Sequence, residues 1–106
     1  MKKFIAERRL LYSLKGSGIR KEFSIGITDI YIVDKDTAHY PAHEGYAACQ
    51  VEIEGLDEKC PVVYGADTLQ AINLASNAEP FLKRLQKKYD LYWLSGEPYF
   101  DGANEV

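Results

Sequence analysis

The chain lacks any apolar run that approaches the length of about 20 residues needed to cross a bilayer as a helix. Its first residues, Met-Lys-Lys-Phe-Ile-Ala-Glu-Arg-Arg, meet charge before the apolar core of a signal peptide could form. We therefore predict a cytoplasmic protein with no membrane partner. The 106 residues, 46% of them hydrophobic and 27% charged, are expected to fold as a single domain over 1–106.

Sequence motifs for metal ions and cofactors are also missing. Cys49 and Cys60 form no Cys-x-x-Cys pair, and we expect two free thiols in a reducing compartment. His39 and His43 have the spacing of a helical zinc pair, but Pro41 between them opposes a helix. No glycine-rich loop precedes a helix in a phosphate-binding pattern. We therefore assign no metal ligand, no cofactor and no catalytic residue.

Charge is distributed unevenly along the chain. The net charge is -3, but residues 1–28 sum to +5, residues 29–79 to -8 and residues 80–106 to zero. An acidic middle segment disfavours nucleic acid as a partner and suits a basic protein surface. The alternative is an acidic sheet edge and loops that are simply solvated.

Alternation of apolar and polar residues predicts strands in the first part of the chain. A first strand over Lys3–Lys15 and a second from Ile19 onward flank the turn formers of 16–18, which indicates an antiparallel hairpin. Gly26 inside the second strand indicates a bulge or a close backbone approach, after which apolar residues continue to Val33.

Two more strands are predicted before the chain changes character. In the third strand Ala47, Cys49, Val51 and Ile53 share one face. A turn follows, and a short fourth strand over Cys60–Tyr64 leads into a helical pattern.

The helical pattern runs over 67–89. Its start has the form of a capping box, with Asp67 followed three residues later by Gln70. Pro80 predicts either a kink or a break. Leu69 and Ile72 lie off the apolar stripe, where they either meet a second element or form an exposed patch. The predicted buried stripe consists of Ala71, Leu74, Ala75, Ala78, Phe81, Leu82, Leu85 and Tyr89.

Together these patterns predict an α+β fold. We expect an antiparallel sheet of about four strands within 3–64, connected as a meander, with one long C-terminal helix over 67–89 packed on one face. An aromatic tail over 91–106 follows, in which Leu91–Leu94 are compatible with a further short strand.

A resemblance agrees with this arrangement. The chain contains Cys49-x-Val51-x-Ile53-x-Gly55 and then Gly65-Ala66-Asp67-Thr68-Leu69-Gln70-Ala71-Ile72. It is similar over residues 45–78 to small bacterial domains of unknown function. Those domains carry a Cys-x-x-x-Ile-x-Gly strand and a Gly-Val-Asp-x-Leu-Gln-Ala-Leu helix start; Ala66 stands where valine is commoner. The resemblance implies a bacterial protein with a sheet and a helix; it gives no indication of an activity.

The segment 34–45 has no periodicity and is the longest predicted loop, a place where binding residues are often found. Our primary hypothesis is a non-enzymatic protein-binding module that engages a basic partner, as a toxin-neutralising immunity protein would. Its candidate partner-binding residues are Asp34, Asp36, His39, Tyr40, His43 and Glu44.

Two alternatives stay open at this point. The first is a small enzyme that uses His39 or His43 as an acid or base near neutral pH. The second is a homo-oligomeric structural protein that buries a sheet edge or the aromatic residues of Leu91–Phe100.

Overall fold

A computed structural model describes residues 2–33 and 46–100 of the chain. In these ranges one antiparallel sheet has the strand order β4-β3-β2-β1-β5. The fold is therefore α+β, as predicted, but the sheet has five strands where we expected about four. The elements in chain order are β1 (Ala6–Leu14), β2 (Lys21–Val33), β3 (Tyr46–Glu54), β4 (Val63–Gly65), α1 (Thr68–Ser76), α2 (Glu79–Leu85) and β5 (Tyr89–Tyr92).

Strands β1 to β4 form the predicted meander. Leu10 of β1 lies opposite Phe23 of β2, and Ile25 of β2 lies opposite Ile53 of β3. These residues are all buried. The register therefore follows the apolar alternation in the sequence, because a slip of one residue would turn every apolar side chain toward water.

The middle of β2 contains both features that a strand glycine can indicate. A Cβ at Gly26 would lie 2.1 Å from the carbonyl oxygen of Ala6, so β1 approaches β2 as closely as it does because this residue is glycine. The register then shifts between Ile27 and Asp29. This bulge adds one residue, so Ile27 and Ile30 both face the core although they are three positions apart.

The core lies between one face of the sheet and the two helices. The predicted inward residues of β3, from Ala47 to Ile53, are buried and belong to the same cluster as Ala71, Ala75, Leu82 and Leu85 of the helices. Small side chains in α1 let this helix lie close to the strands. On the strand side, Gly65 of β4 contributes to the same close approach, since a Cβ there would be 2.4 Å from the backbone nitrogen of Ala71.

The predicted helix is divided into two, which together make one bent helical segment. Helix α1 ends at Ser76, Asn77 takes an extended conformation (φ -83, ψ 93), and α2 begins at Glu79 with Pro80 in its first turn. Proline suits the first turn of a helix, where its missing N–H removes no intrahelical hydrogen bond. Pro80 therefore helps to begin a second helix, and the helix predicted over 67–89 is interrupted at Asn77, three residues before the proline that was expected to kink or break it.

The buried residues of the helical segment also differ from the predicted apolar stripe. Leu74, expected in the buried stripe, is 49% exposed, whereas Ile72 packs against the core. Leu69 is 78% exposed. The break rotates α2 relative to α1, so one stripe at 100° per residue does not continue through both helices.

The residue expected to end the helix, Tyr89, instead begins β5. This strand pairs with the second half of β1, where Tyr12 lies opposite Leu91. Beyond β5 the chain turns back, and the backbone nitrogen of Tyr99 donates to the carbonyl of Leu91 (2.9 Å). The aromatic tail thus covers the outer edge of β5, which removes unpaired backbone groups from part of that edge.

Candidate functional site

The six predicted partner-binding residues, Asp34, Asp36, His39, Tyr40, His43 and Glu44, lie outside the described residues. The structure does place the two ends of their segment. Val33 and Tyr46 pair with each other at the ends of β2 and β3. The surface around this pair is consequently where a site that uses segment 34–45 would be anchored.

We call the sheet face opposite the helices the open face. It carries a group of tyrosines next to the Val33–Tyr46 pair. In β3, Ala47 and Cys49 point into the core, so Ala48 between them points to the open face. Ala48 lies opposite Tyr31 of β2 on one side and opposite Tyr64 of β4 on the other. Three neighbouring strands therefore bring two tyrosines to the two sides of one alanine.

Tyr46, two residues before Ala48 on the same face, completes the group. Its ring contacts the ring of Tyr64 edge-on, with centroids 5.5 Å apart and planes at 68°. Ala48 is fully buried, but Tyr31 and Tyr64 remain 40% and 46% exposed. The rings therefore exclude water from the alanine beneath them and themselves remain partly exposed to solvent. We call Tyr31, Tyr46 and Tyr64 the tyrosine cluster.

Only one sign of charge occurs on the strand segments that carry this cluster. The stretches 29–33, 46–50 and 63–69, which comprise these strand segments and the start of α1, contain Asp29 and Asp67 and no lysine or arginine; the Asp67 carboxylate caps α1. The segment 34–45 adds three carboxylates and one lysine. The stretches that carry the tyrosine cluster therefore contain acidic and no basic side chains, and the segment that joins two of them is acidic in sequence.

Other carboxylates of the acidic middle segment are neutralised within the chain. The Oε1 atom of Glu52 lies 2.9 Å from Lys2 Nζ, and Glu58 lies 3.4 Å from Lys88 Nζ. Glu79 lies 3.4 Å from Arg8 Nη1. The basic ends of the sequence thus fold onto part of its acidic middle, so the segment 29–79 does not form one continuous acidic surface.

The environment of Glu52 illustrates the strength of this pairing. The hydroxyl of Thr28 donates to one oxygen of Glu52, and Lys2 donates to the other. These hydrogen bonds, the one from Thr28 first, lower the pKa of the Glu52 carboxyl below its usual value. Glu52 is therefore ionised and occupied at neutral pH, and we do not count it as a binding residue.

Cysteines and metal-ligating residues form no reactive group in the described part of the chain. Both thiols are free, as predicted; Cys49 is buried, and burial raises its pKa. Across 2–33 and 46–100 no three His, Cys, Asp or Glu side chains are close enough to hold a metal ion. In the same ranges neither helix is long and apolar enough to cross a membrane.

The sequence prediction did not single out the tyrosine cluster. Tyr64 was expected only as the last residue of the fourth strand. Its signal is its position between Val63 and Gly65, which are more buried, so the strand alternation turns it outward. That Tyr64 meets Tyr46 depends on the β3–β4 register, which the sequence does not show.

Comparisons of the chain with protein-family models, with curated proteins and with solved structures find no match. The resemblance to small bacterial domains of unknown function therefore stays a prediction.

Proposed function

We propose that the chain is a non-enzymatic protein-binding module that binds a basic partner through the tyrosine cluster and the adjoining segment 34–45. The observation that carries the proposal is the tyrosine cluster itself. Tyrosines are enriched among the residues that dominate binding energy at protein interfaces. Three of them on neighbouring strands form a rigid platform, since strand pairing rather than a loop holds each one.

Acidity around the cluster supports a basic partner. Asp29 and Asp67 lie on the cluster's own segments, and Asp34, Asp36 and Glu44 belong to the adjoining segment. Complementary charge speeds the encounter of two proteins and makes it sensitive to salt. The proposal thus assigns affinity to the aromatic rings and partner choice to the carboxylates, as in an immunity protein that covers a basic toxin.

A pull-down from native extract followed by a binding titration tests the proposal. The chain should capture a basic protein, and the paired change Tyr31→Ala with Tyr64→Ala should weaken that interaction by at least tenfold. Leu94→Ala is a matched control, because Leu94 is also exposed and lies on the turn after β5. Equal binding by the paired variant and by the control would contradict the proposal.

Charge reversal tests the acidic segment separately. Replacing Asp34, Asp36 and Glu44 by lysine should slow association with the captured partner and remove most of its salt dependence. Unchanged association and unchanged salt dependence would show that these carboxylates are not part of the interface. A captured partner that proves to be a second copy of the chain would instead favour the homo-oligomer.

A further inference from the structure

A concave surface lies at the end of β3 that is distant from the tyrosine cluster. It is formed between the loop that follows β3 and the C-terminal half of α2, and it has a volume of about 270 Å³. Ile53, Phe81 and Leu85 contribute apolar side chains to its lining. Ile53 is seven residues from Tyr46, about 23 Å along the strand, so this pocket is separate from the tyrosine cluster.

Four cationic side chains line the pocket: Lys59 from the loop and Arg84, Lys87 and Lys88 from α2 and the turn after it. A single carboxylate, that of Glu58, lines it as well. Lys88 Nζ lies 3.4 Å from this carboxylate, and the Tyr89 hydroxyl donates to it at 3.0 Å. The pocket therefore carries a formal charge of +3, and its one anion is already engaged.

The other three cations have no carboxylate within ion-pair distance in the described part of the chain. The Arg84 guanidinium carbon lies 5.6 Å from the Phe81 ring centroid, an arrangement that holds the guanidinium beside the apolar lining. Lys59 approaches from a different element, so the positive charges converge on one concavity instead of following a single helix face.

Cys60, which also lines the pocket, does not offset this charge. Burial raises the pKa of its thiol to about 11, although the nearby Arg84 acts in the opposite direction. The thiol is therefore neutral at pH 7. An anion that enters the pocket meets unpaired cations and a neutral, partly apolar surface.

We propose that this pocket binds a small organic phosphate, with the phosphate group between Lys59, Arg84 and Lys87 and an apolar body against Ile53 and Phe81. Arginine recognises phosphate through paired N–H donors, and lysine contributes further charge-assisted hydrogen bonds. The volume suits a single ring with its phosphate group. Binding is non-covalent and requires no chemical step.

Phenyl phosphate is a suitable probe, since it combines one ring with one phosphate group. In a ¹⁵N-edited NMR titration of the full chain at constant ionic strength, it should shift the amides of 58–60 and 84–88 saturably. Inorganic phosphate should bind there at least fivefold more weakly, because it lacks the ring. Equal affinities for the two compounds, or shifts that never saturate, would overturn the proposal.

Neighbouring residues on α2 supply matched variants. Arg84→Gln should weaken phenyl phosphate binding about tenfold, and Lys87→Gln should weaken it by a smaller factor. Lys83→Gln is the control, because Lys83 lies on the same helix and does not line the pocket. All three side chains are exposed, so the fold should tolerate each change; a thermal melt checks this. If Arg84→Gln and Lys83→Gln weakened phenyl phosphate binding equally, binding would depend only on the overall charge of the protein, and the proposed pocket would be wrong.

Discussion

At the scale of single residues, Gly26 sets how closely the first two strands approach each other. In Gly26→Ala the new Cβ would meet backbone atoms, 2.1 Å from the Ala6 oxygen and 2.7 Å from the Glu7 Cα. We expect the free energy of unfolding to fall by about 2 to 3 kcal/mol, since β1 must move away. Urea denaturation measures it, with Ser24→Ala on the same strand as the control. A loss under 0.5 kcal/mol would show that β1 can shift freely.

Arg8 is a charged residue on the core side of β1. Its guanidinium is accommodated there by contacts with the aromatic tail. The Tyr99 hydroxyl accepts from Arg8 Nη1 at 2.6 Å and donates to Glu79. The Arg8 guanidinium also lies 5.8 Å from the centroid of the Trp93 ring. An arginine that interrupts an apolar face is thus paired with groups from α2 and from the end of the chain.

The phenolic hydroxyl of Tyr99 can be removed without removing the ring. Tyr99→Phe should lower the free energy of unfolding by about 1 to 2 kcal/mol, because it deletes two hydrogen bonds to charged groups that are partly exposed. Tyr31→Phe serves as the control and should change stability by less than about 0.5 kcal/mol. Equal effects of the two substitutions in a denaturation experiment would mean that the tail contact adds no stability.

At the scale of elements, the start of α1 shows how far local sequence can be trusted. The predicted cap by Asp67 is present, and Gln70 reaches back as expected, but to the residue before Asp67 instead of to Asp67 itself. The Asp67 carboxylate accepts from the Gln70 nitrogen at 2.8 Å, and the Gln70 side chain accepts from the Ala66 nitrogen at 2.6 Å. Every atom in this motif lies within five residues, so the sequence suffices to specify it.

Breaking the cap should have a measurable cost. Asp67→Ala is expected to lower the free energy of unfolding by about 1 kcal/mol, since it leaves an amide at the helix start without its partner. Asp57→Ala removes the same charge from an exposed loop position beyond the other end of β3 and should have little effect. Thermal or urea unfolding of the two variants separates the cap from the charge; identical stabilities would contradict the assigned role.

The far end of the helical segment shows where local sequence is insufficient. The pattern over 67–89 continues through Tyr89, but Tyr89 and Leu91 are buried as part of β5 against β1. The stabilisation of β5 comes from hydrogen bonds to residues 11–14, more than 70 positions earlier in the chain. The periodicity of residues 67–89 carries no information about pairing with such a distant strand. The helix therefore ends earlier than predicted, and Tyr89 begins a fifth strand.

At the scale of the whole molecule, two partly buried groups predict how stability depends on pH. The pKa of Cys60 is raised to about 11, chiefly by burial, and that of Tyr99 to about 12 by burial and its hydrogen bond to Glu79. Both groups are harder to ionise in the folded state. Their contribution is therefore complete below the pKa of the unfolded chain and is lost as the pH rises through the folded values.

We therefore expect the free energy of unfolding to be constant near pH 8 and to decrease steadily between about pH 9 and pH 12. Urea denaturation at several pH values measures this decrease. The variant with Cys60→Ala and Tyr99→Phe lacks both titrating groups and should show a shallower decrease over the same range. Identical slopes for this variant and the natural chain would contradict the assignment.

The sequence by itself determined the features that depend on neighbours in the chain. These are the α+β class, the β1–β2 hairpin, the inward faces of the strands, the helix cap, and the acidic character of 29–79. Alternation, turn residues and capping act over a few residues, so they can be read without knowing the fold.

Only the tertiary structure decided which distant residues meet. Strand register brought Tyr31, Tyr46 and Tyr64 together across three strands, and it placed β5 beside β1. Chain packing also placed Lys59 and Arg84 around one pocket and joined Lys2 to Glu52. Contacts of this kind depend on how strands and helices pair over long separations, so both proposed binding surfaces emerged from the folded molecule.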